Sequence, residues 1–315
     1  MPTRVTSLLL VATMSFGAVA CDNAGSTAAP AGLTSGKTRT LLTDAPFPFD
    51  RVARVDLYVV SISGSVSPDT SAASANFIAM AAPNRRINVL ALQGGLTDEL
   101  GTASLPTGVI TALRMVIDTD SSSITLKDGR VLTGKSKPSI QWQSSAGRPT
   151  LNALIHDQID VPSTGGVAVI DFDVGQAFLP TQDINPASTD SGFIFSPYIR
   201  AVDGTRTGTI SGTVRAKTAS GAPVADASLR LYFGRSSQPE NTWAVFGTAK
   251  TDANGAFKFS YVTRSAWMAS RGALAGGTYI VAMDPPSGSA LGRVLAKDFI
   301  VTSGQDTPTG TIVVP

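Results

Sequence analysis

The stretch V-A-V-I-D-F-D at residues 167–173 decides how the chain folds. In extended backbone, Val167, Val169, Asp171 and Asp173 point to one side, and Ala168, Ile170 and Phe172 to the other. Its first half is apolar on both faces, so it predicts a central strand of a buried sheet. Working outward, residues 40–43, 52–62, 86–92, 111–118, 123–126, 139–142, 155–161 and 193–195 share this character. In 52–62, Val55, Leu57 and Val59 fall on one face. In 111–118, Leu113, Met115 and Ile117 do the same. Asp120-Ser121-Ser122 is expected to turn the chain, and Asp128-Gly129 to close a hairpin. Residues 63–76 and 103–106 are expected as loops. Only 150–153 and 174–179 leave room for short helical turns, and no segment has the pattern of a long amphipathic helix.

The same pattern resumes after a polar joint, Gly204-Thr205-Arg206-Thr207-Gly208. Strands are expected at 209–214, 227–233, 242–248, around Phe257 and Phe259, and at 278–283, 293–301 and 309–314, with a turn at Asn254-Gly255. Short strands at this spacing predict a sandwich. Residues 261–273 interrupt the pattern, and Trp267 within them is expected in the core rather than on a binding surface. The fold class is therefore all-β, with two β-sandwich domains in tandem behind a signal peptide and a flexible tether. The boundaries are 1–20 for the signal peptide, 21–38 for a lipidated cysteine and tether, 39–203 for the first sandwich and 204–315 for the second.

The amino terminus carries the address. Arg4 supplies a positive charge, residues 7–19 are mostly apolar, and Ala18-Val19-Ala20 precedes Cys21, the only cysteine in the chain. This pattern resembles the lipobox of bacterial lipoproteins, cut before a cysteine that then carries lipid, with Ala18 where leucine is commoner. A plain secretory peptide cut at Ala-x-Ala is the alternative. The apolar run is short for a membrane span and is interrupted by Thr13 and Ser15. Residues 22–38 are mainly Ala, Gly, Ser, Thr and Pro, the composition of a tether. A net charge of +2 with no basic run argues against a nucleic-acid partner. The expected partners are the membrane, through the lipid, and an envelope protein or a glycan.

Two resemblances follow from motif order. Thr43-Asp44-Ala45-Pro46, Leu105-Pro106-Thr107-Gly108 with Leu113-Arg114, Asp171-Phe172-Asp173 and Pro197-Tyr198-Ile199-Arg200 resemble, in that order, the pieces of the DUF4382 family of bacterial lipoproteins. The resemblance spans residues 41–201 and implies an exported β-sandwich with no established activity. The chain departs from the family in having no histidine in 63–82 and Ala112 in place of an aromatic. Ile210 to Val214, Pro223 to Ala227, Thr251-Asp252 with Gly255 and Phe257, and Gly277-Thr278-Tyr279 look like the carboxypeptidase regulatory-like domain, a transthyretin-like sandwich that accompanies enzymes without catalysing.

Candidate chemistry is sparse. His156 is the only histidine, so a histidine-rich metal site is excluded, and no G-x-S-x-G elbow accompanies it. Gly94-Gly95 and Gly165-Gly166 lack the lysine and helix of a nucleotide loop. Asp118 and Asp120, and likewise Asp171 and Asp173, lie two apart at strand ends. Calcium, which takes oxygen ligands, suits them better than acid–base catalysis. The blander reading has them bonding backbone or arginine, with Arg114 a partner. Asp252 and Asn254 are read as turn residues. Trp142, Tyr198 and Trp243 are candidates for a sugar-binding platform, or else core residues. The expectation is a non-catalytic, binding or structural envelope lipoprotein, with no cofactor unless calcium. The alternatives are a calcium-assisted carbohydrate-binding module or an accessory part of a hydrolytic system.

Overall fold

Leu113, Met115 and Ile117 are fully buried while their neighbours along the strand are half-buried, and this alternation recurs through the chain. The computed structural model describes residues 34–44, 51–67, 76–143, 147–181, 192–270, 275–286 and 288–315. The expected signal peptide, Cys21 and the tether up to residue 33 lie outside the described residues. So does most of the loop expected at 63–76.

In chain order the first half contains β1 (Ser35–Thr43), β2 (Val52–Ser65), β3 (Ile78–Ala81), β4 (Arg85–Asn88), β5 (Asp98–Pro106), β6 (Gly108–Ile110), β7 (Ala112–Leu126) and β8 (Val131–Leu132). It continues with β9 (Ile140–Trp142), β10 (Thr150–Asn152), β11 (Leu154–Ile155), β12 (Ile159–Val161) and β13 (Gly166–Phe172). A single helical turn α1 (Val174–Ala177), β14 (Phe178–Pro180), β15 (Phe193–Phe195) and β16 (Ile199–Asp203) complete it. One sheet runs β11-β16-β13-β1-β5. A second runs β10-β7-β2-β3, with β4 also on β2 and β8 on β7. Leu42, Ile170 and Phe172 of the first sheet meet Val55, Leu57, Val59 and Met115 of the second in one apolar core. Two sheets facing across a shared core make a sandwich.

The stretch 167–173 is the central strand expected, parallel to β1 and antiparallel to β16. Ala168, Ile170 and Phe172 enter the sandwich core. Val169 on the opposite face joins Leu41 and Val202, with Val167 and Tyr261 packed against them. Tyr261 belongs to the second half, so the outer face of β13 is covered by the rest of the protein rather than by water.

The second half contains β17 (Thr207–Ala216), β18 (Ser228–Gly234), β19 (Ala244–Lys250), β20 (Ala256–Thr263), the turn α2 (Ser265–Met268), β21 (Thr278–Asp284), β22 (Val294–Phe299) and β23 (Asp306–Val314). Its sheets run β20-β17-β23 and β19-β18-β21-β22. Ile210, Val214, Phe257, Phe259 and Ile312 from one sheet pack on Leu229, Leu231, Phe233, Tyr279 and Val281 from the other. The protein is all-β, with one apolar core on either side of the 203/204 joint.

Several local expectations are corrected. Asp120-Ser121-Ser122 does not reverse the chain. Tyr58 pairs with Asp118 and Asp56 with Ser123, so the extra residues bulge from a continuous β7. Local bonds stabilise that bulge, because Asp118 accepts the Ser121 N–H at 3.0 Å and Ser122 Oγ donates to the Asp118 carbonyl at 2.6 Å. Residues 103–106 are strand, not loop: β5 pairs with β1, and a register shift between Thr40 and Leu41 breaks its alternation, leaving Leu100 and Leu105 five apart as its buried apolar positions. Residues 150–153 are mostly strand β10 rather than a helical turn. The apolar run 89–92 is 3-10 helix (Val89–Gly95) rather than strand, and 155–161 breaks into β11 and β12. β1 begins at Ser35 and β2 runs to Ser65, so strand takes in residues assigned to the tether and to the following loop. The short turn expected after residue 174 is α1. Among the described residues no helix is long and apolar enough to cross a membrane.

Candidate functional site

Asp171 and Arg200 are register partners across β13 and β16. Both point away from the first core, on the face that meets the second half. Arg200 Nη2 donates to Asp171 Oδ2, and the residues are 4% and 6% exposed, so the pair is shut away from water. Water exclusion strengthens the attraction but also makes each charge costly to strand. Beyond Asp171, the Arg200 guanidinium lies over the ring of Phe246 on β19, 4.4 Å from its centroid. A side chain of the first half is thereby held between a carboxylate of its own sheet and an aromatic ring of the other half.

Two more carboxyls surround this pair. Asp44 follows β1; its Oδ1 accepts the Val174 N–H at 3.1 Å and its Oδ2 accepts from Gln93 Nε2 at 3.4 Å. Burial pushes the Asp44 carboxyl well above the usual range, and the nearby Asp171 and Asp173 charges push the same way. Asp173 caps α1, accepting the Gln176 N–H at 3.1 Å and Gln176 Nε2 at 2.6 Å. Burial raises Asp173 as well, and the Asp171 charge adds to the rise. Asp44, Asp171 and Arg200 line a polar cavity of about 30 Å³ with Phe246, Lys258 and Ser260 of the second half. Arg200 Nε and Nη1, Asp171 Oδ1 and Ser260 Oγ are buried with no hydrogen-bond partner in the protein.

A second clasp joins the halves. Asp157 sits between β11 and β12 at a φ of 63°, and it accepts from Arg264 Nε at 2.5 Å and Nη2 at 3.1 Å. Arg206, in the connecting segment, reaches Asp160 at 3.1 Å. The His156 ring lies between Phe246 and Trp267, with centroids 5.9 and 6.0 Å away. The backbone N–H of His156 donates to the Ala201 carbonyl at 2.9 Å. Trp267 packs against the second core, where it was expected.

Of the aspartates singled out in the sequence, Asp171 and Asp173 come together in this joint, with Arg200 rather than Arg114 as the arginine. Arg114 instead bonds Asn152 and lies over Phe77 at 3.7 Å. Asp118 accepts from Arg148 Nε at 3.0 Å. Partial burial works against its charge, but the Arg148 and Ser121 bonds prevail and hold it below the usual carboxylate range. Asp120 is exposed and lies 3.3 Å from Lys135 Nζ. Among the described residues no group of three or more His, Cys, Asp or Glu is arranged to hold a metal ion. Asp252 accepts the N–H groups of Asn254 and Ala256 at 2.8 and 2.9 Å, the turn role expected of it.

The three aromatics do not share a cluster. Trp142 packs on Phe195 and Phe178 at 4.8 and 6.0 Å. It also borders a groove of about 440 Å³ with Gln143, Arg148, Thr150 and Pro197. Trp243 is buried on the second half's outer sheet face beside Tyr232, and its Nε1–H donates to the Arg235 carbonyl at 2.9 Å. Tyr198 is half-buried, and burial raises its hydroxyl. Asp44 and Phe246, which complete the joint, were not among the candidate residues. The one signal for Asp44 was its position, an acid at the end of the apolar strand that opens the fold.

No curated protein sequence matches the chain. Among solved structures, a 9R-lipoxygenase from Cyanothece is 15% identical over 36% of this chain and 17% of its own, with a TM-score of 0.23. The Bacillus anthracis TIE protein is 10% identical over 89% of this chain and 34% of its own, with a TM-score of 0.20. The minor pilin GBS52 of Streptococcus agalactiae is 12% identical over 88% of this chain and 95% of its own, with a TM-score of 0.22. The chain thus spans much less than two thirds of the first two, and at these values no property passes from any of the three. The sequence comparison is firmer. Residues 35–197, from the first residue of β1 through β15 and ending just short of β16, match the family described as a domain of unknown function, DUF4382. Since that match takes in just over half of its 315 residues, the chain belongs to the DUF4382 family.

Proposed function

We propose that this chain is an exported envelope lipoprotein, anchored through Cys21, whose two sandwich halves form a stiff, non-catalytic module for a structural or adhesive role. One observation carries the reading. Asp171 and Arg200, both buried, are engaged with each other and with Phe246 across the joint. A group held this way fixes one half against the other. It is not presented to a substrate. The turn signatures of the second half support its assignment to the carboxypeptidase regulatory-like sandwiches, with a spacing and positioning task rather than a reactive one.

The test is export and anchoring of the full chain in a bacterial host. Cys21→Ser is expected to move the protein from the membrane to the soluble fraction and to abolish incorporation of labelled palmitate. Membrane retention of Cys21→Ser without label would overturn the lipid anchor.

A second reading rests on the groove beside Trp142, where an indole stands near the polar side chains of Gln143 and Arg148. Aromatic faces with adjacent donors suit a sugar ring; Asp118 is already engaged by Arg148 and Ser121, so calcium assistance would require the ion to displace Arg148. A glycan array probed with and without EDTA separates the two readings. Binding lost in Trp142→Ala favours capture of carbohydrate; a blank array favours the structural role.

A further inference from the structure

Three buried carboxyls, Asp44, Asp171 and Asp173, stand around a single buried guanidinium, Arg200, beside a cavity whose far wall belongs to the second half. With every carboxyl ionised, three negative charges would share one buried positive charge, shielded from bulk solvent. Such an excess is relieved when a carboxyl binds a proton. Asp44 is the group best placed to take it. Arg200 bonds Asp171, and Gln176 satisfies both oxygens of Asp173. Among the described residues, Asp44 is met by one backbone N–H and by a long contact from Gln93.

We propose that the Asp44–Asp171–Asp173–Arg200 cluster is a proton-operated latch between the two halves, closed when Asp44 carries a proton and loosened when it ionises. The latch does not depend on the lipid anchor or on the envelope role.

The surroundings agree with the sign. Burial holds Asp44 well above the usual range in the folded protein. An acid whose folded-state value is raised gives its full stabilisation below its unfolded value and loses it as pH rises through the folded value. The joint is therefore tightest in mild acid. Other ionisable groups face the site from each packed element: Lys258 from β20 lines the cavity, and Tyr198 borders Arg200. Tyr279 from β21 is buried and donates its hydroxyl to the Thr263 carbonyl, and His156 lies against Phe246. Burial raises the hydroxyls of Tyr198 and Tyr279, so both stay neutral across mild acid. A variant of Asp44 isolates the latch from the other groups around it.

The experiment is hydrogen exchange of the intact chain from about pH 5 to about pH 8, normalised for intrinsic exchange. The wild type is expected to lose protection in β19 and β20 as pH rises, by about tenfold or more, while β7 in the first core keeps its protection. Asp44→Asn, which retains an acceptor for Val174 N–H without a charge, is expected to stay closed throughout. Equal protection of β19 and β20 at both ends of the range would overturn the latch, and so would an unchanged pH response in Asp44→Asn. If that variant fails to fold, infrared spectra of the wild type decide the matter. A buried protonated carboxyl band that disappears as the joint opens supports the latch, and its absence at mild acid pH overturns it.

Discussion

Arg200 lies with its guanidinium 4.4 Å from the centre of the Phe246 ring while its Nη2 bonds Asp171, so one side chain ties together three strands from two sandwiches. Replacing one member of such a buried pair leaves the other charge stranded. Arg200→Met is expected to destabilise the protein by about 3–5 kcal/mol, measured by urea unfolding. Arg200→Met with Asp171→Leu is expected to recover most of that loss, because neither charge then remains. A single variant within about 1 kcal/mol of wild type would show that the pair is not sealed from water.

The second clasp is more open, and its contribution is smaller. Asp157 is buried, but the side chain of Arg264 is 32% exposed and partly screened. Arg264→Ala should cost about 1–2 kcal/mol, between an exposed and a fully buried pair. The effect should fall on the joint rather than on either core. Calorimetry is expected to show one transition for the wild type and a broader or split one for Arg264→Ala. A uniform shift of an unsplit transition would place Asp157 and Arg264 in the stability of one half alone.

Much of the architecture was legible because alternation reports burial directly. Val55, Leu57 and Val59, or Leu113, Met115 and Ile117, can face only one core, and the structure places them there. Where alternation was interrupted, legibility failed. The bulge after Asp118 changes which residues face inward, so a continuous strand looked like two strands and a turn. In β5 the register shift left two buried leucines five residues apart, a spacing that fits no strand. The joint was half legible. The stretch 167–173 announced two buried faces, and Asp171 and Asp173 were conspicuous on one of them. What covers that face was out of reach, because Asp44 meets Val174 from 130 positions away and Phe246 belongs to the other half. Motif spacing carries no information about contacts at that range.

Glu240 provides an acid-side signature distinct from the latch. The Arg293 bonds at 2.6 and 2.7 Å, against the opposing effect of burial and with help from Tyr232, lower its carboxyl from an ordinary 4.5 to about 2. A depressed folded-state value gives stability that is present above 4.5 and lost as pH falls towards 2. Wild-type melting temperature should therefore fall across that window, and Glu240→Gln should flatten part of the fall. The side chain is partly exposed, so high salt should shrink the difference between the two proteins. An identical acid limb in Glu240→Gln would remove this pair from the list of contributors.

Trp243 tests whether an aromatic offered as a sugar platform is instead a structural cover. Its indole lies directly over Gly234, so a methyl group at that position would collide with the ring, and its Nε1–H is already bonded to the Arg235 carbonyl at 2.9 Å. Gly234→Ala is expected to cost about 1–3 kcal/mol through overpacking. Trp243→Ala should cost about 3–5 kcal/mol through the lost burial. The two penalties should not add. With the indole gone, the alanine at 234 has nothing to strike, and the double variant should be no less stable than Trp243→Ala alone. Strict additivity in urea unfolding would mean that the ring swings away from Gly234 in solution. It would then be free to meet a ligand, and the carbohydrate reading would gain a second surface far from the Trp142 cluster in sequence.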